Sequence, residues 1–139
     1  KSLMFKSEHK TRVRYSETDQ MGYVYYGNYA QYFELGRVET FRKLGFSYKE
    51  LEDMGILMPV LNMDCQYVKP ARYDDEITII TTIQEMPSVR IKFKYEIVNA
   101  EGETITLGST SLVFIDKEKN KPMKAPNWLI AKLEPFFNS

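Results

Sequence analysis

The sequence predicts an α+β fold, one long helix laid against an antiparallel sheet of about five strands, and three observations carry that prediction. A short strand-like segment comes first, and a single long stretch of helical period follows it. From residue 57 onward the hydrophobic period drops to two, in segments joined by short turns. Short turns force consecutive strands to run antiparallel, and a lone helix must bury its apolar stripe on the sheet they form.

Residues 8–15 (EHKTRVRY) read as the first strand, with Thr11, Val13 and Tyr15 on one face and His9 exposed near its start. Residues 16–27 (SETDQMGYVYYG) are irregular yet rich in aromatic and aliphatic side chains. A loop that apolar lines a pocket or an interface more readily than it faces bulk water. The helix is expected from Asn28 to Leu44. Asn28 followed by Gln31 has the spacing of a capping box, and Gly45 supplies the stop. Tyr29, Phe33, Gly36, Thr40 and Leu44 recur on one side, with Gly36 the point of close approach to the sheet. A second, short helix is expected from Ser47 to Met54, ending at Gly55.

Residues 57–69 read as one long strand with Leu57, Leu61, Met63, Cys65 and Tyr67 facing the core. Residues 75–86 place Ile77, Ile79 and Ile83 together. Residues 88–98 alternate Val89, Ile91, Phe93, Tyr95 and Ile97 against Arg90, Lys92, Lys94 and Glu96. Residues 103–116 give the last long strand, after a turn at Asn99-Ala100-Glu101-Gly102, and a C-terminal helix is expected near Pro126–Phe136.

Composition narrows the chemistry. With 139 residues the chain fits one domain, 1–139, and 19 basic residues balance 19 acidic ones, which argues against nucleic acid as a partner. No apolar run suits membrane insertion, and no signal-peptide stretch opens the segment; with the single Cys65, the expectation is a cytoplasmic protein. One cysteine and one histidine leave no ligand set for structural zinc and no apparatus for a histidine triad. Phosphate-binding and dinucleotide-binding glycine patterns are absent, so no metal and no cofactor are expected. Carboxylates and backbone dipoles remain.

Residues 12–37 (RVRYSETDQMGYVYYGNYAQYFELGR) are more specific. They resemble the 4-hydroxybenzoyl-CoA thioesterase family, in which a Tyr near the end of strand one is followed by T-D-x-x-G-x-V-x-[YH]-x-x-Y-x-x-[YF]. Here those positions are Tyr15, Thr18-Asp19, Gly22, Val24, Tyr26, Tyr29 and Tyr32-Phe33. The segment YVKPARYDDEITI at 67–79 is similar to the family's strand-to-strand connection. The resemblance implies a hot-dog fold, hydrolysis of an acyl-CoA thioester, and a homodimer or homotetramer. It also implies Asp19 as the catalytic carboxylate, with the backbone N–H of Tyr26, beside Gly27, against the thioester carbonyl. Where this chain has Tyr26, many acyl-CoA thioesterases of the family have His, and the aromatic-CoA branch has Tyr.

Physically, a thioester needs a carboxylate to activate water or to attack, and donors for the developing oxyanion. Asp19 as general base and Asp19 as nucleophile both fit, while a plain Asx turn is its structural role. Tyr15 and Tyr25, with Tyr23 and Tyr29, are candidates for the acyl pocket. Arg90, on a basic strand face with Lys92 and Lys94, is the candidate for the CoA phosphates. Glu34 is the competing carboxylate, and Glu17 and Asp64 are weaker ones. The alternatives are a non-catalytic acyl-binding protein and a hot-dog dehydratase, for which His9 is badly placed.

Overall fold

Gly36 shows how helix and sheet meet. It lies in α1 (Tyr29–Leu44), and a Cβ there would come 2.5 Å from Thr81 Oγ1 and 2.7 Å from Ile79 Cγ2, both on β4 (Glu76–Ile83). Only a missing side chain lets the backbones come this close. The structure is a computed structural model and describes residues 4–137. Around Gly36, α1 buries Tyr29, Tyr32, Phe33, Arg37, Thr40, Phe41 and Leu44, one face of a helix about 24 Å long. Gly45, at φ 100°, ends it.

The main sheet has the order β1-β4-β5-β6-β3 and every neighbouring pair is antiparallel. Its other strands are β1 (Phe5–Arg12), β3 (Val60–Tyr67), β5 (Arg90–Asn99) and β6 (Thr104–Val113). The predicted alternation on β4 and β5 holds: Ile77, Ile79, Ile83, Ile91, Phe93, Tyr95 and Ile97 are all buried. Phe33 stacks on Tyr95 with ring centroids 4.3 Å apart, which pins α1 to the sheet centre. The turn after β5 closes as expected, with the Gly102 N–H donating to the Asn99 carbonyl.

Four expectations need correction. The capping box at Asn28 does not form. Asn28 ends a 3-10 turn, Tyr26–Asn28, that precedes α1, and its side chain caps nothing in the helix. A capping box occurs instead at Ser47 and Glu50, opening α2 (Tyr48–Asp53). The long strand at 57–69 is two: β2 (Ile56–Leu57) pairs with β7 (Ile115–Asp116), and β3 begins after Pro59. Proline has no N–H for the ladder, so the break falls there. The third concerns the core face of β3. Leu61, Met63 and Tyr67 are 47%, 44% and 53% exposed, because α1 packs over β1, β4 and β5 and leaves this edge strand uncovered. At the other edge His9 sits half-buried within β1, opposite Ile79, rather than exposed. β8 (Lys121–Pro122) completes a small sheet with β2 and β7, and α3 (Asn127–Phe137) buries Leu129 and Leu133.

Candidate active site

The loop between β1 and α1 is a miniature hairpin. Thr18 bridges Val24; the Asp19 N–H donates to the Tyr23 carbonyl at 2.8 Å and the Gly22 N–H to the Asp19 carbonyl at 3.0 Å. Gly22 sits at φ 81°, a left-handed conformation that suits glycine. Within this turn Asp19 Oδ1 accepts the N–H groups of Met21 at 2.9 Å and Tyr23 at 3.2 Å. That is an Asx turn. The other carboxylate oxygen, Oδ2, has no protein partner among the described residues, and the side chain is exposed.

A buried carboxylate fastens the hairpin to α1. Glu17 is 6% exposed and accepts the Arg14 N–H at 2.8 Å, the Arg14 Nε at 3.0 Å and the Tyr32 hydroxyl at 2.7 Å. Burial alone would raise its pKa; the Arg14 amide, the Tyr32 hydroxyl and the Arg14 guanidinium outweigh burial and hold it below the ordinary value. The Tyr32 phenol is pushed far up, first by burial and then by the Glu17 carboxylate. The Glu17 carbonyl also accepts the Tyr25 N–H at 2.9 Å and Asn28 Nδ2 at 2.8 Å. Thus the Asn28 side chain, predicted as a cap, ties the loop to the helix entrance instead.

At that entrance the N–H groups of Tyr26 and Gly27 have no hydrogen-bond partner among the described residues. They are the orphan donors of a helix start, at its positive end. A Cβ at Gly27 would come 2.7 Å from the Tyr25 ring, so glycine lets that ring pack over the helix entrance. Asp19 and Tyr26 line one hollow of about 300 Å³ with Tyr23, Tyr29, Tyr67 and Lys69. Tyr67 comes from β3, its ring 6.4 Å from that of Tyr26 and 5.5 Å from that of Tyr29.

Other candidates fall elsewhere. Tyr25 packs on the Tyr26 ring at 4.6 Å, beside the hollow. Tyr15 is 77% exposed and meets Tyr73 edge to face, outside the hollow's lining. Arg90 pairs with Val113, seven residues back along β5 from Ile97, roughly 24 Å from the level of the hollow. Glu34 is exposed partway along α1, and Asp64 accepts the Ser109 hydroxyl on β6. Cys65 is half-buried, and burial pushes its thiol up. No group of three His, Cys, Asp or Glu side chains is placed for a metal among the described residues. Sequence reasoning missed the roles of Glu17 and Tyr32. The only signal was an acidic residue inside an apolar loop.

Comparison with known proteins gives this geometry a family. Residues 13–133 match the model of the thioesterase-like superfamily. The chain belongs to that superfamily; it is a thioester hydrolase of the acyl-CoA thioesterase class, built on the hot-dog fold. The Bacillus subtilis protein YneP is 36% identical over 129 residues, covering 90% of this chain and 94% of its own length. The acyl-CoA thioester hydrolase YbgC of Escherichia coli is 33% identical over 123 residues, 88% of this chain and 92% of that protein. A DHNA-CoA thioesterase from Staphylococcus aureus superposes with a TM-score of 0.87 at 37% identity, covering 94% of this chain and 90% of that one. No helix among the described residues is long and apolar enough to cross a membrane.

Proposed function

We propose that this chain hydrolyses acyl-CoA thioesters in the hollow at the start of α1, with Asp19 as general base. The single observation that carries the reading is that Asp19 and Tyr26, whose amide has no partner among the described residues, line one hollow. Asp19 Oδ2 takes a proton from water as the water oxygen attacks the thioester carbon. The oxyanion that forms is held by the Tyr26 amide at the positive end of the helix. The C–S bond then breaks, and the proton on Asp19 passes to the departing sulfur, leaving a carboxylic acid and CoA thiol. Exposure of Asp19 to water favours this role over direct attack through an anhydride. The aromatic wall of Tyr26, Tyr29 and Tyr67 supplies an apolar seat for the acyl group. Arg72, stacked over Tyr23 at 5.1 Å, puts positive charge beside the hollow for the CoA phosphates, while Lys69 on the wall is paired with Glu103 at 2.6 Å. The uncovered β3 edge supports a homodimer, in which a second copy of β3 covers Leu61 and Met63.

The test is a panel of benzoyl-, short-chain and long-chain acyl-CoAs with a thiol reagent. CoA release by the wild type, falling about 10²–10⁴-fold in Asp19→Asn at unchanged melting temperature, is the expected result. Full activity in Asp19→Asn with loss in Glu34→Gln would move the chemistry to α1. Binding without release would make the chain an acyl-CoA binding protein.

A further inference from the structure

The Asp19 hollow has two charged residues on its wall, Asp19 and Lys69, and the charge of Lys69 is already matched. Lys69 stands just past the end of β3, where the Val68 and Lys69 N–H groups both donate to the Ile105 carbonyl of β6. From there its ammonium donates to Glu103 Oε2 at 2.6 Å. The other carboxylate oxygen of Glu103, Oε1, accepts Asn99 Nδ2 at 2.9 Å, and the Glu103 N–H donates back to Asn99 Oδ1 at 2.9 Å. Both oxygens are thus engaged, and Lys69 first, then Asn99, hold the Glu103 carboxyl below its ordinary value. A half-exposed ion pair contributes little to stability. Its consequence for the hollow is different. With Lys69 matched by Glu103, Asp19 is the one charge on the wall without an opposite partner, and the rest of the wall is aromatic or aliphatic. Arg72 is not on that wall; its guanidinium packs over the Tyr23 ring.

We propose that this hollow selects acyl groups that carry no charge, and that Glu103 sets the selection by engaging Lys69. The inference rests on the reading of the hollow as the acyl site and adds which acyl groups it takes. An acyl chain ending in a carboxylate meets the Asp19 carboxylate with no free cation on the wall to offset it, and like charges brought together repel. An uncharged chain meets aromatic and aliphatic side chains without that penalty. Lys69 is the cation able to reverse the preference. Its four-carbon stem is flexible, and among the described residues the ammonium is held by Glu103 alone. Glu103 acts through Lys69 and does not line the hollow, so it is a positioning residue.

The experiment compares hexanoyl-CoA with adipoyl-CoA, whose acyl groups have the same carbon count and differ in a terminal carboxylate. Contacts to CoA are common to both and cancel in the ratio of their kcat/KM values. In the wild type the ratio favours hexanoyl-CoA by at least about tenfold. Glu103→Gln keeps an oxygen for Asn99 Nδ2 and frees the Lys69 ammonium. It narrows the ratio about three- to tenfold by raising kcat/KM for adipoyl-CoA. Lys69→Gln widens the ratio, because it leaves the Glu103 carboxylate without its cation. The double variant loses the gain, since the gain comes from the freed ammonium; a merely structural role for Glu103 lowers both substrates together and leaves the ratio where it was. A change of less than about twofold in Glu103→Gln, or a gain kept in the double variant, overturns the proposal. S-hexyl-CoA and S-(5-carboxypentyl)-CoA, thioethers that cannot be hydrolysed, carry the same comparison in dissociation constants measured by calorimetry. A wild type that binds the thioethers with this pattern but cleaves neither thioester overturns the thioesterase reading alone. Cleavage of both thioesters at equal kcat/KM overturns the proposal alone.

Discussion

Tyr32→Phe removes one oxygen from the fastening between the Asp19 hairpin and α1. In the wild type the Tyr32 hydroxyl donates at 2.7 Å to Glu17 Oε1, a carboxylate 6% exposed. A hydrogen bond to a charged group contributes roughly 1.5–3 kcal/mol. Oε1 keeps the Arg14 N–H and Oε2 keeps the Arg14 Nε, so the variant leaves the carboxylate partly satisfied. The expected loss is therefore at the lower end, about 1.5 kcal/mol at pH 7. In urea that lowers the midpoint by roughly 0.8 M for a slope near 2 kcal/mol/M. The pH dependence is the sharper test. The folded pKa of Glu17 lies below its usual 4.5, so ionised Glu17 stabilises the fold above that value. The contribution disappears as pH falls through the folded pKa. Tyr32→Phe moves the folded pKa back toward 4.5, so the gap between variant and wild type is full at pH 7 and narrows below about pH 4.5. Urea titrations at fixed protein concentration from pH 7 down to about pH 2.5 measure it. A gap below 0.5 kcal/mol at pH 7, or one of constant size across the range, refutes the reasoning.

Gly36→Ala gains about 1 kcal/mol of helix propensity yet meets Thr81 and Ile79, so a net loss of roughly 1–2 kcal/mol is expected in the same urea assay. Gly22→Ala is the converse, with nothing within 4 Å of the new Cβ but a φ of 81°. Stability should fall by only about 1 kcal/mol while thioester hydrolysis falls more steeply, because the strained turn carries Asp19. Met63→Lys puts a charge on the 44%-exposed side chain of β3 and tests the proposed homodimer: the sedimentation coefficient should fall to that of a single chain, with circular dichroism unchanged.

Much of this was legible because the relevant forces are local. Perfect alternation on β5 and the stripe through Phe33, Thr40 and Leu44 record which face meets the core, and the structure buries those side chains. β3 misled for a physical reason. Its alternation also records an apolar face, but a pattern does not say what covers it, and α1 does not extend over that edge. Asn28 misled because its side chain is used elsewhere: Nδ2 donates to the Glu17 carbonyl, 11 residues away, and the side chain accepts no N–H from the first turn of the helix. The site was half legible. Asp19 and Tyr26 stand out in the motif, whereas Glu17 is meaningful only through Tyr32, 15 residues on, a pairing that exists once the chain is folded.

The hairpin's closure also sets how the chain can change in length. Between Glu17 and Asn28 the backbone is held to a fixed count: Thr18 faces Val24, Tyr25 returns to the Glu17 carbonyl, and Asn28 reaches the same oxygen. One inserted residue would break that count and turn the Tyr26 amide away from the hollow. The Asn99–Glu103 turn is closed by its own hydrogen bonds and meets the site only through the Glu103–Lys69 ion pair, so residues added between Asn99 and Glu103 carry the small entropic cost of a longer loop. Length variation in this chain is therefore expected at such turns, while the twelve positions from Glu17 to Asn28 form a segment that tolerates substitution before it tolerates insertion.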